Sequence, residues 1–502
     1  MSDTASNEVD RTRRWLLTAS VLLSVLLYAV DTTVANVALP VIQGNLAITR
    51  EQSSWVLTSY LIASAVALPA LSAIESRLGL LRSYLTCVMG FGIASVLCAI
   101  APNLEALVVA RFLQGLCGAG LIPLGQTALQ TVYPRHLLTR AFAVLGVGVM
   151  IGPVLGPWVG GLLTDEFGWR AVFYINVPFV ILATIGLAAT LPRQSQSKLR
   201  PFDALGFVLL SICIVCLQLA LDRGDHLDWF DSTEIIIEVG AAVITAYMFV
   251  VHMRTSQNTL IASTLLRDRN MRIGLVMSVL VGWPFMGAMV LLPQFLQEVQ
   301  GYSVTGAGIL LAPRGVGLML SMMALGRYGV GLDARAVFSA GCVINAVGLA
   351  AVSGAPSDAP ADWLTGWLFF QGIGLGLMFV PLNTISFATL SAAQRTEGAA
   401  LLTLARNLGS GIGIAILIRG ISHDATAAAQ HIAEASRMTM PMQDATSLAW
   451  LLGEWQRESL VVAYANQHLV LGILPALLVP IVWLARKPPV NAKNDTATVD
   501  AH

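Results

Sequence analysis

Asp31 and Arg111 sit in otherwise uncharged stretches, YAVDTTVANVALP and ARFLQGLCGAG. A charge in such surroundings costs roughly 2.5–3.5 kcal/mol on insertion scales and by default marks function. A carboxyl group there can gain or lose a proton according to its neighbours. Asp31 lies 16 residues beyond Trp15, about 24 Å along a helix. Arg111 lies seven residues after Leu104, about 10 Å along a helix that runs the opposite way. Both therefore reach a similar depth in a hydrocarbon core about 30 Å thick. They meet directly or through a polar bridge such as Gln114, as a structural ion pair or as a functional site.

Two further arginines lie deep: Arg314 is about 15 Å and Arg406 about 12 Å into their apolar runs. Neither has an evident deep carboxylate partner in its own half, because Glu298 and Glu238 lie near outer ends and Glu397 near an inner end. One deep acid against three arginines favours neutral or anionic amphipathic ligands over quaternary ammonium dyes. The alternative is that Arg314 and Arg406 simply bind backbone carbonyls. Asn36 and Asn383 join these two arginines as candidate groups of a substrate cavity.

Glycines supply a second pattern. In GVGVMIGPVLGPWVGG, Gly148, Gly152, Gly156 and Gly160 stand four apart on one ridge, beside Pro153 and Pro157. Such a ridge lets another helix approach closely, and the prolines remove backbone hydrogen bonds and bend the helix. The contact is either static or one that seals and opens in a conformational cycle.

The elements that must position these residues are transmembrane helices. Of 502 residues 56 % are hydrophobic and only 12 % charged, against about 25 % charged in a soluble domain. Fourteen apolar runs approach the roughly 20 residues needed to cross a bilayer: 15–37, 53–74, 84–101, 104–132, 139–163, 171–191, 204–221, 235–251, 273–296, 304–325, 336–355, 363–390, 398–418 and 460–483. With the amino terminus inside, 20 of the 29 Lys and Arg residues fall in cytoplasmic segments and six in outer ones. That is the bias the positive-inside rule requires, and it favours an even number of spans with both ends cytoplasmic. The Arg-rich start is read as a retained first helix rather than a signal peptide.

Several functions are disfavoured. Asp+Glu equal Lys+Arg at 29 each, so no charge excess points to nucleic acid. All six cysteines lie in apolar runs, and Cys213–Cys216 reads as packing rather than redox or metal chemistry. No histidine is placed mid-span, no Ser/His/Asp set or metal cluster is evident, and no P-loop occurs. Neither an enzyme nor a cofactor nor a metal is expected.

The motifs around Asp31, Arg111 and the glycine ridge resemble those of the major facilitator superfamily, in particular its fourteen-helix EmrB/QacA-type drug:proton antiporters. WRAVFYINVPF, FDALGFVLL with LDRGDHLDWF, LLAPRGVG, LGLMFVPLN and LARNLGSGIGIAI extend the resemblance over nearly the whole chain. It implies that Asp31, Arg111 and Gln114 serve proton coupling, with Gly115 in the same motif. Gly152, Pro153, Gly156, Pro157, Gly160 and Gly161 match the antiporter motif, extended here by Gly148. The family's loop between helices 2 and 3 resembles G-x-L-A-D-R-x-G-R-R, whereas this chain has SAIESRLGLLR. Arg77 and Gly79 fit, Ser72 and Ser76 replace the Gly and Asp, and Glu75 stands one place early as a possible substitute acid in a cytoplasmic gate loop. LGRYGVGLDAR, with Gly326, Arg327, Asp333 and Arg335, is a faint second copy.

The expected fold is an all-α membrane protein of the major facilitator type: a cytoplasmic tail (1–14), a six-helix bundle (15–191), two inserted helices with their loops (192–270), a second six-helix bundle (271–484) and a cytoplasmic tail (485–502). Within the second bundle, the outer segment 422–459 reads as short amphipathic helices on the outer face or as a solvated loop. The expected function is proton-driven efflux of amphipathic small molecules from the inner membrane by alternating access. A periplasmic adaptor and outer-membrane channel would join it in a Gram-negative source. Proton-coupled uptake, facilitated diffusion, and a non-transporting sensor or scaffold are the alternatives.

Overall fold

Hydrocarbon offers no hydrogen-bond partner to a backbone amide, so a chain of apolar runs must satisfy its amides within helices. The computed structural model describes residues 2–134, 137–192, 202–224, 227–256, 259–329, 332–355, 359–391, 394–437 and 445–486, and among these no strand occurs. The helices are α1 (Ser2–Leu46), α2 (Arg50–Leu78), α3 (Leu80–Ala99), α4 (Leu104–Gly118), α5 (Leu121–Val132), α6 (Leu138–Phe167), α7 (Ala171–Tyr174), α8 (Asn176–Thr190) and α9 (Ala204–Arg223). They continue with α10 (Thr233–Thr255), α11 (Ser263–Arg267), α12 (Arg269–Gln294), α13 (Val304–Tyr328), α14 (Ala334–Ser353), α15 (Ala361–Phe387), α16 (Arg395–Arg437) and α17 (Ala445–Trp483). Thirteen stretches among the described residues are long and apolar enough to cross a membrane. The remaining apolar run is the 30-residue α6.

Prolines explain where single runs became two helices. Pro123 has no N–H to offer the carbonyl of Ala119, and the fourth run breaks there into α4 and α5. Pro178 does the same opposite Tyr174, separating α7 from α8. A π-helical turn, Phe295–Val299, follows Pro293 at the end of α12.

Helices run past the ends of two of the apolar runs. The amino-terminal tail belongs to α1 from Ser2, because neither glycine nor proline interrupts the sequence before Pro40. The expected short surface helices of the outer segment are corrected: among the described residues α16 runs unbroken to Arg437 and α17 begins at Ala445, so the segment continues the spanning helices. At 1.5 Å per residue, the 43 residues of α16 reach about 65 Å, far beyond a bilayer core. Residues 438–444 lie outside the described residues, as do 193–201 and 487–502.

In the first half α1 packs on α6 and α8, α2 on α4, and α3 on α4 and α8. In the second half α15 packs on α13 and α14, α12 on α16, and α17 on α14 and α16. α9 and α10 pair with each other, and α9 rests on α2 and α16. α10 leaves Ile237, Val243, Ile244 and Tyr247 exposed, an apolar face suited to lipid.

Contacts between the halves gather on the side that carries the start of α1 and the end of α17. Phe142 of α6 meets Phe387 of α15 with ring centroids 5.7 Å apart. The Arg395 guanidinium donates to the Gln130 carbonyl at 2.7 Å, Thr396 donates to Thr127 at 2.9 Å, and Gln126 donates to Asn383 at 3.4 Å. A Cβ on Gly326 of α13 would come within 3.0 Å of the Ala143 Cβ of α6.

Candidate functional site

Asp31 is 1 % exposed and Arg111 equally covered, inside the first half. Arg111 donates from Nη1 to Asp31 Oδ2 at 2.6 Å and to Gln114 Oε1 at 2.7 Å. Gln114 in turn donates through Nε2 to Asp31 Oδ1 at 2.8 Å, so the direct pair and the bridge coexist. Gln114 and Arg111 share a face because they lie three apart on α4.

Three more helices close this constellation. Asn176, at the start of α8, donates through Nδ2 to Asp31 Oδ1 at 3.0 Å and to Ser95 Oγ of α3 at 2.9 Å. Ser95 donates onward to the Phe173 carbonyl at 2.8 Å. From α2, the Val56 carbonyl accepts from Arg111 Nε at 3.1 Å, and the Tyr60 ring lies 4.4 Å from the guanidinium carbon. One carboxylate thus receives three donors, and its arginine is held on an aromatic face. Asn176 was within reach of the sequence, being a polar residue in the quoted INVPF stretch. Ser95 and Tyr60 carried no such signal.

The glycine ridge of α6 faces α1 across this same level. A Cβ on Gly152 would strike the Ala29 backbone, one on Gly156 the Thr33 hydroxyl, and one on Gly160 would come within 2.9 Å of Val34 Cγ1. Gly148 faces Leu22, with 2.6 Å to Cδ2. Thr33 donates to the Gly152 carbonyl at 3.2 Å. The ridge therefore beds the stretch of α1 that carries Asp31. Gly161 stands apart from it, with open space where a Cβ would go. The side chains of Pro153 and Pro157 lie outside the described residues.

The gate loop is shorter than its motif suggested: Ser72, Glu75, Ser76 and Arg77 belong to α2, and Gly79 alone, at φ +80°, turns the chain into α3. Glu75 lies against Thr396 of the second half, whereas Arg77 lies over the Phe202 ring at 6.0 Å.

The four cavity candidates differ in their surroundings, and two of them, Asn383 and Arg406, contact Phe379. Asn36 is exposed and donates to the Thr32 carbonyl at 3.2 Å. Asn383 is buried, donates to the Phe379 carbonyl and accepts from Gln126 across the halves. Arg406 lies over the Phe379 ring at 5.3 Å and faces Tyr28 of the first half. The Tyr28 and Tyr60 rings are tilted by 39° with centroids 6.1 Å apart, so an aromatic path runs from Arg111 to the region between the halves. Arg314 donates from Nε to Gln371 Oε1 at 2.6 Å, a side-chain partner rather than a carbonyl. His468 of α17, expected away from span interiors, is 1 % exposed and bonded to the Tyr464 carbonyl at 2.7 Å. Among the described residues no group of three or more His, Cys, Asp or Glu side chains is arranged to hold a metal ion.

These features define a multi-pass helical membrane protein with a charged constellation enclosed in one half and a contact face between two halves. The chain belongs to the Major Facilitator Superfamily, whose family model matches residues 21–414. Its relatives include the fatty acid resistance protein FarB of Neisseria gonorrhoeae, 32 % identical over 95 % of this chain and 96 % of that one. The multidrug export protein EmrB of Escherichia coli is likewise 32 % identical, over 95 % and 96 % of the two chains. Among solved structures, the proton:xylose symporter XylE superposes with a TM-score of 0.63 at 14 % identity, covering 96 % of this chain and 98 % of that one. The family and these relatives are transporters rather than enzymes.

Proposed function

We propose that this protein exports amphipathic small molecules against their gradient, driven by proton influx, through alternating access. The observation that carries the reading is the Asp31 carboxylate: a deeply buried acid balanced by Arg111 and held by Gln114 and Asn176. Protonating it removes the counter-charge of a buried guanidinium, so the free energy of the first half depends on proton occupancy. The Tyr60–Tyr28 pair and Arg406 carry that change toward the region between the halves, where midplane substrate sites of such folds lie. Fatty acid resistance and multidrug export in the names of the relatives support efflux of amphipathic compounds as the task.

In this reading the protein resides in the cell (inner) membrane with both termini cytoplasmic, and the contacts between the halves seal the cytoplasmic side. Residues 15–191 and 271–484 act as the two rocking bundles, and 192–270 is an insertion. Arg111 and Gln114 set the state of Asp31, and Glu75 with Gly79 forms part of the cytoplasmic gate. In a cell with an outer membrane, a periplasmic adaptor and an outer-membrane channel complete the route.

Flux in proteoliposomes under an imposed proton gradient tests this. Wild type should move a lipophilic probe against the direction of proton flow, and Asp31→Asn should bind the probe yet lose the gradient-driven component. Equal export by Asp31→Asn refutes the coupling role. Probe movement along with the protons would instead establish uptake.

A further inference from the structure

The second half contains a counterpart of the Asp31 constellation from which the acid is missing. Gln114–Gly115 on α4 is matched by Gln371–Gly372 on α15. A Cβ on Gly115 would strike the Tyr60 carbonyl of α2, and one on Gly372 would strike the Arg314 carbonyl of α13. The two Gln-Gly pairs thus hold the same packing position in the two halves, and each glutamine receives an arginine N–H.

Hydrogen-bond polarity then leaves a surplus of donors. An arginine only donates, so Gln371 must present Oε1 to Arg314, and its Nε2 donates to Asn345 Oδ1 at 2.7 Å. That leaves Asn345 Nδ2 turned away from Gln371. Gln371 and Asn345 are both 0 % exposed. Among the described residues, Arg314 Nη2 and Asn345 Nδ2 are both buried without a hydrogen-bond partner. In the first half the donors Arg111 and Gln114 of α4 and Asn176 of α8 are absorbed by Asp31; in the second half the arginine and asparagine reach the glutamine from α13 and α14 instead. Here α13 and α14 contain no acidic residue, and the only one on α15 is Asp362. It lies nine residues before Gln371, about 13 Å along the helix.

A buried guanidinium is retained when it is paired. We propose that Arg314 and Asn345 bind a monovalent anion that takes the place Asp31 occupies in the first half. Its chemistry is that of a carboxylate or halide, supplied by the head group of the transported amphiphile or by chloride from the medium. Arg314 keeps partial exposure while Gln371 and Asn345 are covered, so the anion enters past Arg314. The site rests on the export reading only for the identity of a cargo; anion binding itself requires no transport.

Thermal unfolding of the purified full-length protein tests it in chloride-free buffer, at ionic strength held constant with sodium sulfate, titrated with sodium chloride or sodium octanoate. Wild type should show a saturable rise in Tm of about 2 °C with at least one anion. Arg314→Gln should lose it. Asn345→Asp supplies an internal carboxylate, so it should unfold higher than wild type without added anion and respond to neither. A response to octanoate that chloride does not reproduce identifies a cargo head group, and the reverse identifies a resident ion. A wild type indifferent to both anions overturns the proposal, as does an unchanged response in Asn345→Asp. Because the readout is binding, failure here leaves proton-driven export standing, and failure of the flux assay leaves the anion site standing.

Discussion

Gly156 of α6 lies directly against Thr33 of α1, so close that a single added methyl group would meet the threonine hydroxyl. Thr33 is two residues from Asp31. The ridge is a contact within the first half, and its integrity and the placement of the buried acid are one structural matter.

Gly156→Leu should therefore act on Asp31 rather than on the closure between halves. Overpacking of this kind costs about 1–3 kcal/mol. The expected outcome is a protein that reaches the membrane, unfolds several degrees lower and loses gradient-driven export. Gly161→Ala, placed in open space, should match wild type in both assays.

Asp31→Asn leaves Arg111 buried without its counter-charge, for which about 3–5 kcal/mol of destabilisation is expected. Asp31→Asn combined with Arg111→Gln should recover part of that loss, since no charge then remains unpaired. Thermal unfolding of the two single variants and the double variant reads the coupling directly. Additive losses would show that the pair does not interact energetically.

Gly326→Leu should wedge the halves apart where α13 meets Ala143 and Arg140 of α6. Cysteine placed at Phe142, whose ring faces Phe387, should then be labelled faster by a membrane-impermeant thiol reagent from the side of the chain ends. Unchanged labelling would mean that this contact does not hold the closed arrangement.

Asp203 caps α9 and ties it to the return of α10. Burial alone would raise its pKa, but the N–H groups of Gly206 and Leu260 together with His252 outweigh that, and the carboxyl is held below its ordinary value. A depressed folded pKa gives stability that is present above the unfolded value, about 3.9, and lost as pH falls through the folded one. Wild-type Tm should thus fall more steeply below about pH 4 than that of Asp203→Asn. Asp203→Ala should lose about 1 kcal/mol at neutral pH through the missing cap.

The fourteen apolar runs and the shared depth of Asp31 and Arg111 were legible in the sequence. A bilayer imposes helices of nearly fixed length and rise, so position along the chain converts directly into depth. Depth does not specify rotation about a helix axis or the choice of neighbour. Asn176, Ser95 and Tyr60 reach the Asp31–Arg111 pair from α8, α3 and α2, and only packing brings those faces together. The same limit hid that Gly156 faces Thr33 and that Arg314 meets Gln371 rather than a backbone carbonyl. The segment 422–459 read as short surface helices or a solvated loop because of its polar residues. Polarity marks where a span leaves hydrocarbon; that α16 simply continues as the same rod was decided by its unbroken backbone hydrogen bonding in the folded chain.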